Sequence, residues 1–171
     1  MKRIPERVNK FNAYKRGDKL VGAGDEFALP DLSWMTETIS GPGIAGEYED
    51  PSIGLLEKME VEIPFKTLYA DIGELTNPLE PVELTIRASQ QSRDNEGRVV
   101  FTGIKAVFKG KCKKFSPGQI KQGSPTGAKI NLSLTNYILE VDGVVIHDID
   151  ILNDRMIING VDIMAAFKDL C

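Results

Sequence analysis

The stretch Lys129-Ile130-Asn131-Leu132-Ser133-Leu134-Thr135 alternates polar and apolar residues without a break. Successive side chains of a strand point to opposite faces, so this pattern makes one dry face and one wet face. The same parity sets Met59, Val61, Ile63 and Phe65 against Lys58, Glu60, Glu62 and Pro64. It sets Val82, Leu84, Ile86 and Ala88 against Glu83, Thr85, Arg87 and Ser89, and Ile104, Ala106, Phe108 and Cys112 against Lys105, Lys109, Lys111 and Lys113. Strands that are dry on one side only predict an antiparallel sheet laid over a core.

Turn formers join these strands. Asp94-Asn95-Glu96-Gly97 lies between segments ending near Arg93 and starting at Arg98, and Asp142-Gly143 separates Tyr137 to Val141 from Val144 to Ile149. Both are hairpin signals, so the flanking strands are antiparallel neighbours. Further strands are expected at Phe11 to Lys15, at Leu32 to Ile39 and near Met156 to Ile158. Lys66 to Leu75 brings Leu68, Ile72 and Leu75 to helical spacing between Pro64 and Asn77-Pro78, and Val161 to Leu170 does the same with Ile163, Ala166, Phe167 and Leu170. The expected fold is mainly β: an antiparallel β-sandwich or barrel with one short flanking helix and a short C-terminal helix, as a single domain over residues 1–171.

With 42% hydrophobic and 27% charged residues in 171, the composition is globular and excludes disordered and fibrous classes. No stretch reaches the roughly 18 consecutive apolar residues of a membrane helix. Met1-Lys-Arg-Ile-Pro-Glu-Arg7 is not followed by the apolar run of a signal peptide, so neither a membrane nor a secreted location is expected. Cys112 and Cys171 lie far apart and read as free thiols of a reducing compartment. The net charge of −4 hides strong segregation: residues 1 to 19 carry seven Lys or Arg against two acids, 31 to 83 two against twelve, 84 to 129 ten against two, and 130 to 171 two against seven. Either acidic and basic strands are neighbours within one sheet, or copies of the chain meet with opposite charges facing.

Chemistry-bearing motifs are scarce. His147 stands alone between strand residues with no Gly-x-Ser-x-Gly elbow, so it reads as structural and not as the base of a hydrolase. Glu47, Glu49 and Asp50 lack the spacing of a calcium loop, and Gly22-Ala-Gly24 does not open a phosphate-binding helix. No enzymatic activity, metal or cofactor is expected. The lysines at 105, 109, 111 and 113 lack the interleaved aromatics of a single-strand binder. Trp34 reads as core or subunit-contact bulk. Two stretches remain: Gly41-Pro-Gly-Ile-Ala-Gly-Glu-Tyr-Glu-Asp-Pro-Ser-Ile-Gly54, a long connection that carries Ile44, Tyr48 and Ile53, and Phe115 to Gly127 around Lys121-Gln122-Gly123. Connections of that length usually serve a function, and both look built to meet a partner.

The order of features resembles the major tail tube protein of contractile-tailed phages and of the phage-tail-like bacteriocins derived from them. The likeness rests on Asn9-Lys-Phe-Asn12, Leu29-Pro-Asp-Leu32, the glycine spacing Gly41-x-Gly43-x-x-Gly46, and the strand through Arg93 and Asp94 with its return. It continues through Lys121-Gln122-Gly123, Lys129-Ile130, Tyr137, Asp142-Gly143, Asp148-Ile149-Asp150 and Asn159-Gly160-Val161-Asp162, nearly the whole chain.

That resemblance implies a structural protein without enzymatic activity. Its hexameric rings would stack into a hollow tube inside a sheath, assembled in the host bacterial cytoplasm and ending up in a virion tail or bacteriocin particle. The implied partners are further copies of itself, the tail sheath protein, baseplate and tail terminator proteins, and, in the lumen, a tape measure protein and, for a DNA-carrying phage, DNA. The loop through Gly41, Gly43, Ile44, Gly46, Tyr48 and Ile53 is then the expected inter-ring or inter-subunit contact, with Lys121, Gln122 and Gly123 as a second. A conduit should not grip polyanions, because each phosphate contact with Lys or Arg adds affinity through counterion release. Lys58, Glu60, Glu62, Asn131, Ser133 and Thr135 are therefore the expected lumen lining, while Lys105, Lys109, Lys111 and Lys113 are expected to face a neighbouring subunit or the sheath. The alternative is a small-ligand-binding β-barrel module, which the charged second faces of the strands disfavour.

Overall fold

The structure, a computed structural model, describes residues 3–171. In chain order its elements are β1 (Ile4–Lys15), β2 (Asp18–Lys19), β3 (Trp34–Ile39), β4 (Tyr48–Leu56), β5 (Met59–Phe65), α1 (Ile72–Thr76), β6 (Val82–Arg93), β7 (Val99–Ser116), β8 (Ala128–Val141), β9 (Val144–Asp150), β10 (Arg155–Ile158), β11 (Val161–Asp162) and α2 (Ala165–Lys168). Nine strands form one sheet in the order β11-β10-β9-β8-β7-β6-β1-β2, with β5 added beside β8, while β3 and β4 pair only with each other. The mainly β, antiparallel architecture with two short helices is as expected.

The sheet forks at β8. Along one side β8 pairs with β7; along the other it pairs first with β5, through residues 128–134, and then with β9, through 136–141. At the fork Thr135 is an extra residue on β8 and Lys113 an extra residue on β7, interrupting the register at Lys109/Gly110 and Cys112/Lys114. Such bulges bend a strand and let it pass from one layer of a sandwich to the next. The bend brings backbones close enough to dictate a glycine: a Cβ on Gly110 would stand 2.2 Å from the Ser133 carbonyl oxygen.

Parity fills the interior. In register, Leu84, Phe108, Tyr137, Ile149 and Met156 form one buried row across β6, β7, β8, β9 and β10. Phe108 stacks on Tyr137 at 5.5 Å and 3°, Phe27 stacks on the same Phe108 at 5.7 Å, and His147 lies against Tyr137 at 6.5 Å. Met59, Val61, Ile63 and Phe65 pair in register with Leu134, Leu132, Ile130 and Ala128 to extend the core into the second layer. Ile72 and Leu75 of α1, Leu20 and Phe27 from the segment after β2, and Met164 and Phe167 near the C-terminus cover the dry side. Each large apolar side chain taken out of water contributes about 1.5–3 kcal/mol.

Several boundaries depart from the sequence reading. The helix expected over Lys66 to Leu75 keeps only Ile72–Thr76, because residues before it form turns that hydrogen-bond to the ends of neighbouring elements, as Lys66 N–H does to the Gly22 carbonyl at 3.0 Å. The C-terminal helix expected from Val161 starts at Ala165, since Val161 and Asp162 pair with Ile158 and Ile157. The second half of the long connection Gly41 to Gly54 is strand: Tyr48–Leu56 is β4, despite Pro51 and Gly54. Pro51 is tolerated because a ribbon edge needs no donor there. Gly54, at φ +84°, sits where a Cβ would meet Met164 Sδ and Phe167 at 2.7 Å.

Gly110→Ala should destabilise the fold by about 2–3 kcal/mol in denaturant unfolding through overpacking at the fork. Gly103→Ala, on the same strand well before the register breaks and with open space at its Cβ, should stay within about 0.5 kcal/mol of the parent.

Candidate assembly surfaces

The β3–β4 ribbon is the first surface. Its base is anchored, with Trp34 and Leu56 packed on the core and Gly54 against the C-terminal turn. Its pairing runs Ile39 to Tyr48, Thr38 to Glu49, Glu37 to Asp50 and Thr36 to Pro51, and the connecting residues 40–47 are all exposed. No Lys or Arg occurs from residue 20 to residue 57. Glu37, Glu47, Glu49 and Asp50 have no cationic partner among the described residues. Met35, Ile44, Tyr48, Ile53 and Leu55 are nonetheless exposed, Ile53 at 62%. A two-stranded ribbon on its own is marginal in water, and one that shows apolar side chains and two unpaired edges calls for a covering partner. Of the predicted contact loop, Gly41, Gly43, Ile44 and Gly46 lie at the tip, whereas Tyr48 and Ile53 lie on β4.

Of the second predicted loop, Phe115 to Gly127, the first two residues belong to β7, and residues 117–127 are a closed excursion between β7 and β8. Gln119 N–H donates to the Thr126 carbonyl at 2.9 Å, Ser124 N–H to Lys121 at 3.2 Å, and Gly127 N–H to Lys66 at 3.2 Å. Its tip carries Lys121, Gln122 and Gly123, all exposed, next to Ile120 at 96% exposure.

The wet side of the sheet corrects the expected separation of charges. Glu60, Ser133 and Lys111 occupy one cross-strand row, and Lys113 donates to Glu60 at 2.6 Å. That contact holds the Glu60 carboxyl below the ordinary carboxylate range, with Lys58 at 3.4 Å acting in the same sense. Lys129 pairs with Glu62 at 2.8 Å. Lys111 and Lys113 therefore share a face with Glu60, Glu62, Asn131 and Ser133. Thr135 is spent on the bulge, donating to the Lys109 carbonyl at 3.2 Å. Lys105 and Lys109 lie beyond the bulge, in rows with Arg87 and Glu140 and with Glu83 and Asn136. Of the two readings of charge segregation, the pairing of acidic and basic strands within one sheet is present in the fold.

The corner after β9 is held by Asp150, which the sequence reading passed over as one acid among several. Its carboxylate accepts from Leu152 N–H at 3.2 Å, Asn153 N–H at 3.3 Å and Asn153 Nδ2 at 2.7 Å. Burial opposes its charge, but the hydrogen bonds from Asn153 and Asn136, with Arg155 nearby, prevail and hold it below the usual range. His147 points to the dry side against Tyr137, where burial lowers its pKa and its Nδ1 has no hydrogen-bond partner among the described residues. It is a packed residue, as expected. Burial pushes the Tyr137 hydroxyl up to about 12.

The chain thus has a filled interior, and its distinctive features are all outward: an acidic ribbon, a tied loop and a zwitterionic sheet. A family model described as phage tail tube protein FII matches residues 5–170. The chain belongs to that family. It is also similar to the tail tube protein of Escherichia phage P2, with 26% identity over 167 residues that cover 93% of this chain and 92% of that protein. The chain is accordingly a structural tail tube protein, a component of a phage tail. The small-ligand barrel finds no support in these similarities.

One surface escaped the sequence reading. Beyond the core, β1, β6 and β7 run on as a three-stranded extension that exposes Ile4, Val99 and Phe101. The signal was there in Arg98-Val-Val-Phe101, an apolar run directly after a turn and without a polar alternate.

Because the folded pKa of Asp150 is depressed, its contribution is complete above the ordinary carboxylate value of about 3.9 and is lost as pH falls through the lower folded value. Asp150→Ala should cost about 1–3 kcal/mol at pH 7, and the gap to the parent should narrow in acid unfolding titrations followed by circular dichroism.

Proposed function

We propose that six copies of this single-domain chain close into a ring and that rings stack through the β3–β4 ribbon into a hollow tube inside a contractile sheath. The single observation that carries the stacking is the ribbon, an anchored arm with acidic and apolar side chains and no covering element among the described residues of its own subunit. Heterologous contacts that do not close along an axis generate a filament. The number six and the sheath rest on the family likeness, as do the baseplate, tail terminator and tape measure partners. The same likeness supports assembly in the bacterial cytoplasm, for a DNA-carrying phage or a DNA-free bacteriocin. The loop at Lys121, Gln122 and Gly123, closed on itself and tipped by Ile120, serves as a second contact between subunits.

The lysines that share a face with Glu60 and Glu62 redirect the lumen assignment. A channel that releases a polyanion calls for balanced charge. The β6–β9 side supplies it, with Glu83, Glu140 and Asp148 among Arg87, Lys105 and Lys109. In this reading that side lines the bore, and the face with Lys58, Lys111 and Lys113 meets a neighbouring subunit or the sheath.

Replacing residues 39–48 by a short Gly-Ser turn keeps Gly54 and Leu56 in place, so the variant should unfold within about 1 kcal/mol of the parent. Under negative-stain electron microscopy the parent should give hollow tubes and the variant rings or single subunits. Tubes of parental length from the variant would refute the stacking role.

A further inference from the structure

The extension of β1, β6 and β7 has a face of specific composition. In register, Ile4, Arg93 and Val99 form one row, Arg7, Gln91 and Phe101 the next, and Lys10, Ser89 and Gly103 the third, all on the side that continues the wet face of the sheet. Phe101 and Ile4 are each 64% exposed. Arg93 is paired with Glu6 at 2.6 Å, but Arg7 and Lys10 have no acidic partner among the described residues. A Cβ on Gly103 would meet nothing, so the third row is open and flat.

The β3–β4 ribbon is the complement of this face. Facing residues of an antiparallel pair share a side, and rows alternate. Ile39 with Tyr48 and Glu37 with Asp50 therefore lie on one side of the ribbon, an apolar row followed by an acidic row. The extension offers apolar side chains interspersed with unpaired cations at the same row spacing. We infer that the face of Ile4, Arg7, Lys10 and Phe101 is the receiving surface for the ribbon of a second copy of this chain, with Glu37 and Asp50 set against Arg7 and Lys10 and with Tyr48 against Phe101. Opposite charges on the two patches select this orientation, while an apolar centre surrounded by charge supplies the contact area.

The inference rests on the stacking role of the ribbon and adds the surface it lands on. Charge exchange tests it in full-length protein. Glu37→Lys with Asp50→Lys should reduce pelletable tubes at least about tenfold, and so should Arg7→Glu with Lys10→Glu, since like charges then face each other. The four substitutions together should restore tubes to at least about half the parental amount, because the pairs are re-formed with signs exchanged. Circular dichroism of each variant verifies that these exposed changes leave the subunit folded. If the ribbon pair abolishes tubes while the Arg7/Lys10 pair leaves them at the parental level, or if the fourfold variant is no better than either pair, the receiving surface lies elsewhere and the inference falls. If the unsubstituted chain forms no tubes, the tube reading itself fails, an outcome distinct from either of those.

Discussion

One cross-strand row governs this molecule. Leu84, Phe108, Tyr137, Ile149 and Met156 must lie side by side on five strands for the sheet to have a dry side. A slip of one residue in any of those pairings would carry an entire apolar set into water. With the register fixed, the bulges at Thr135 and Lys113 and the glycine at 110 have one place to be, and the sheet folds over itself there. The fold thereby spends its apolar interior on its own closure and leaves the ribbon, the extension and the loop at residues 117–127 at the surface.

Much of this was legible from period-two alternation. The strands holding Met59, Leu84, Phe108 and Ile130 were readable by parity, as were the turns at Asp94–Gly97 and Asp142-Gly143, because their faces differ in polarity residue by residue. The ribbon was not. Tyr48 to Leu56 contains Pro51 and Gly54, both strand breakers by composition, and its pairing is local to a surface arm where no buried face imposes a pattern. The helices shrank for a related reason. Leu68 and Ile163 have helical spacing to their neighbours, but backbone partners offered by adjacent elements, such as Met156 to Ile163 N–H, compete with helix formation.

The candidate sites divide along the same line. Parity correctly grouped Glu60 with Glu62 and Lys105 with Lys109, yet no single-strand pattern states which strands are neighbours. The contact of Lys113 with Glu60 joins residues 53 positions apart, and it turns a supposedly acidic face into a mixed one. Charge segregation along the chain is therefore partly consumed inside the subunit. Among the charges left without an ion-pair partner in the described residues are the acids of the ribbon and Arg7 and Lys10 on the extension. That charge, with the apolar side chains beside it, is what the proposed contact between copies draws on.

The account's central claim is that the ribbon lacks a covering partner until copies of the chain assemble. Hydrogen–deuterium exchange, comparing unassembled subunits with tubes, measures this directly. Amides of residues 36–53 should exchange fast in the free subunit and become at least about a hundredfold slower in the tube, while those of the Phe108 and Tyr137 row stay protected in both states. Ribbon amides that exchange equally fast in tube and subunit would contradict it.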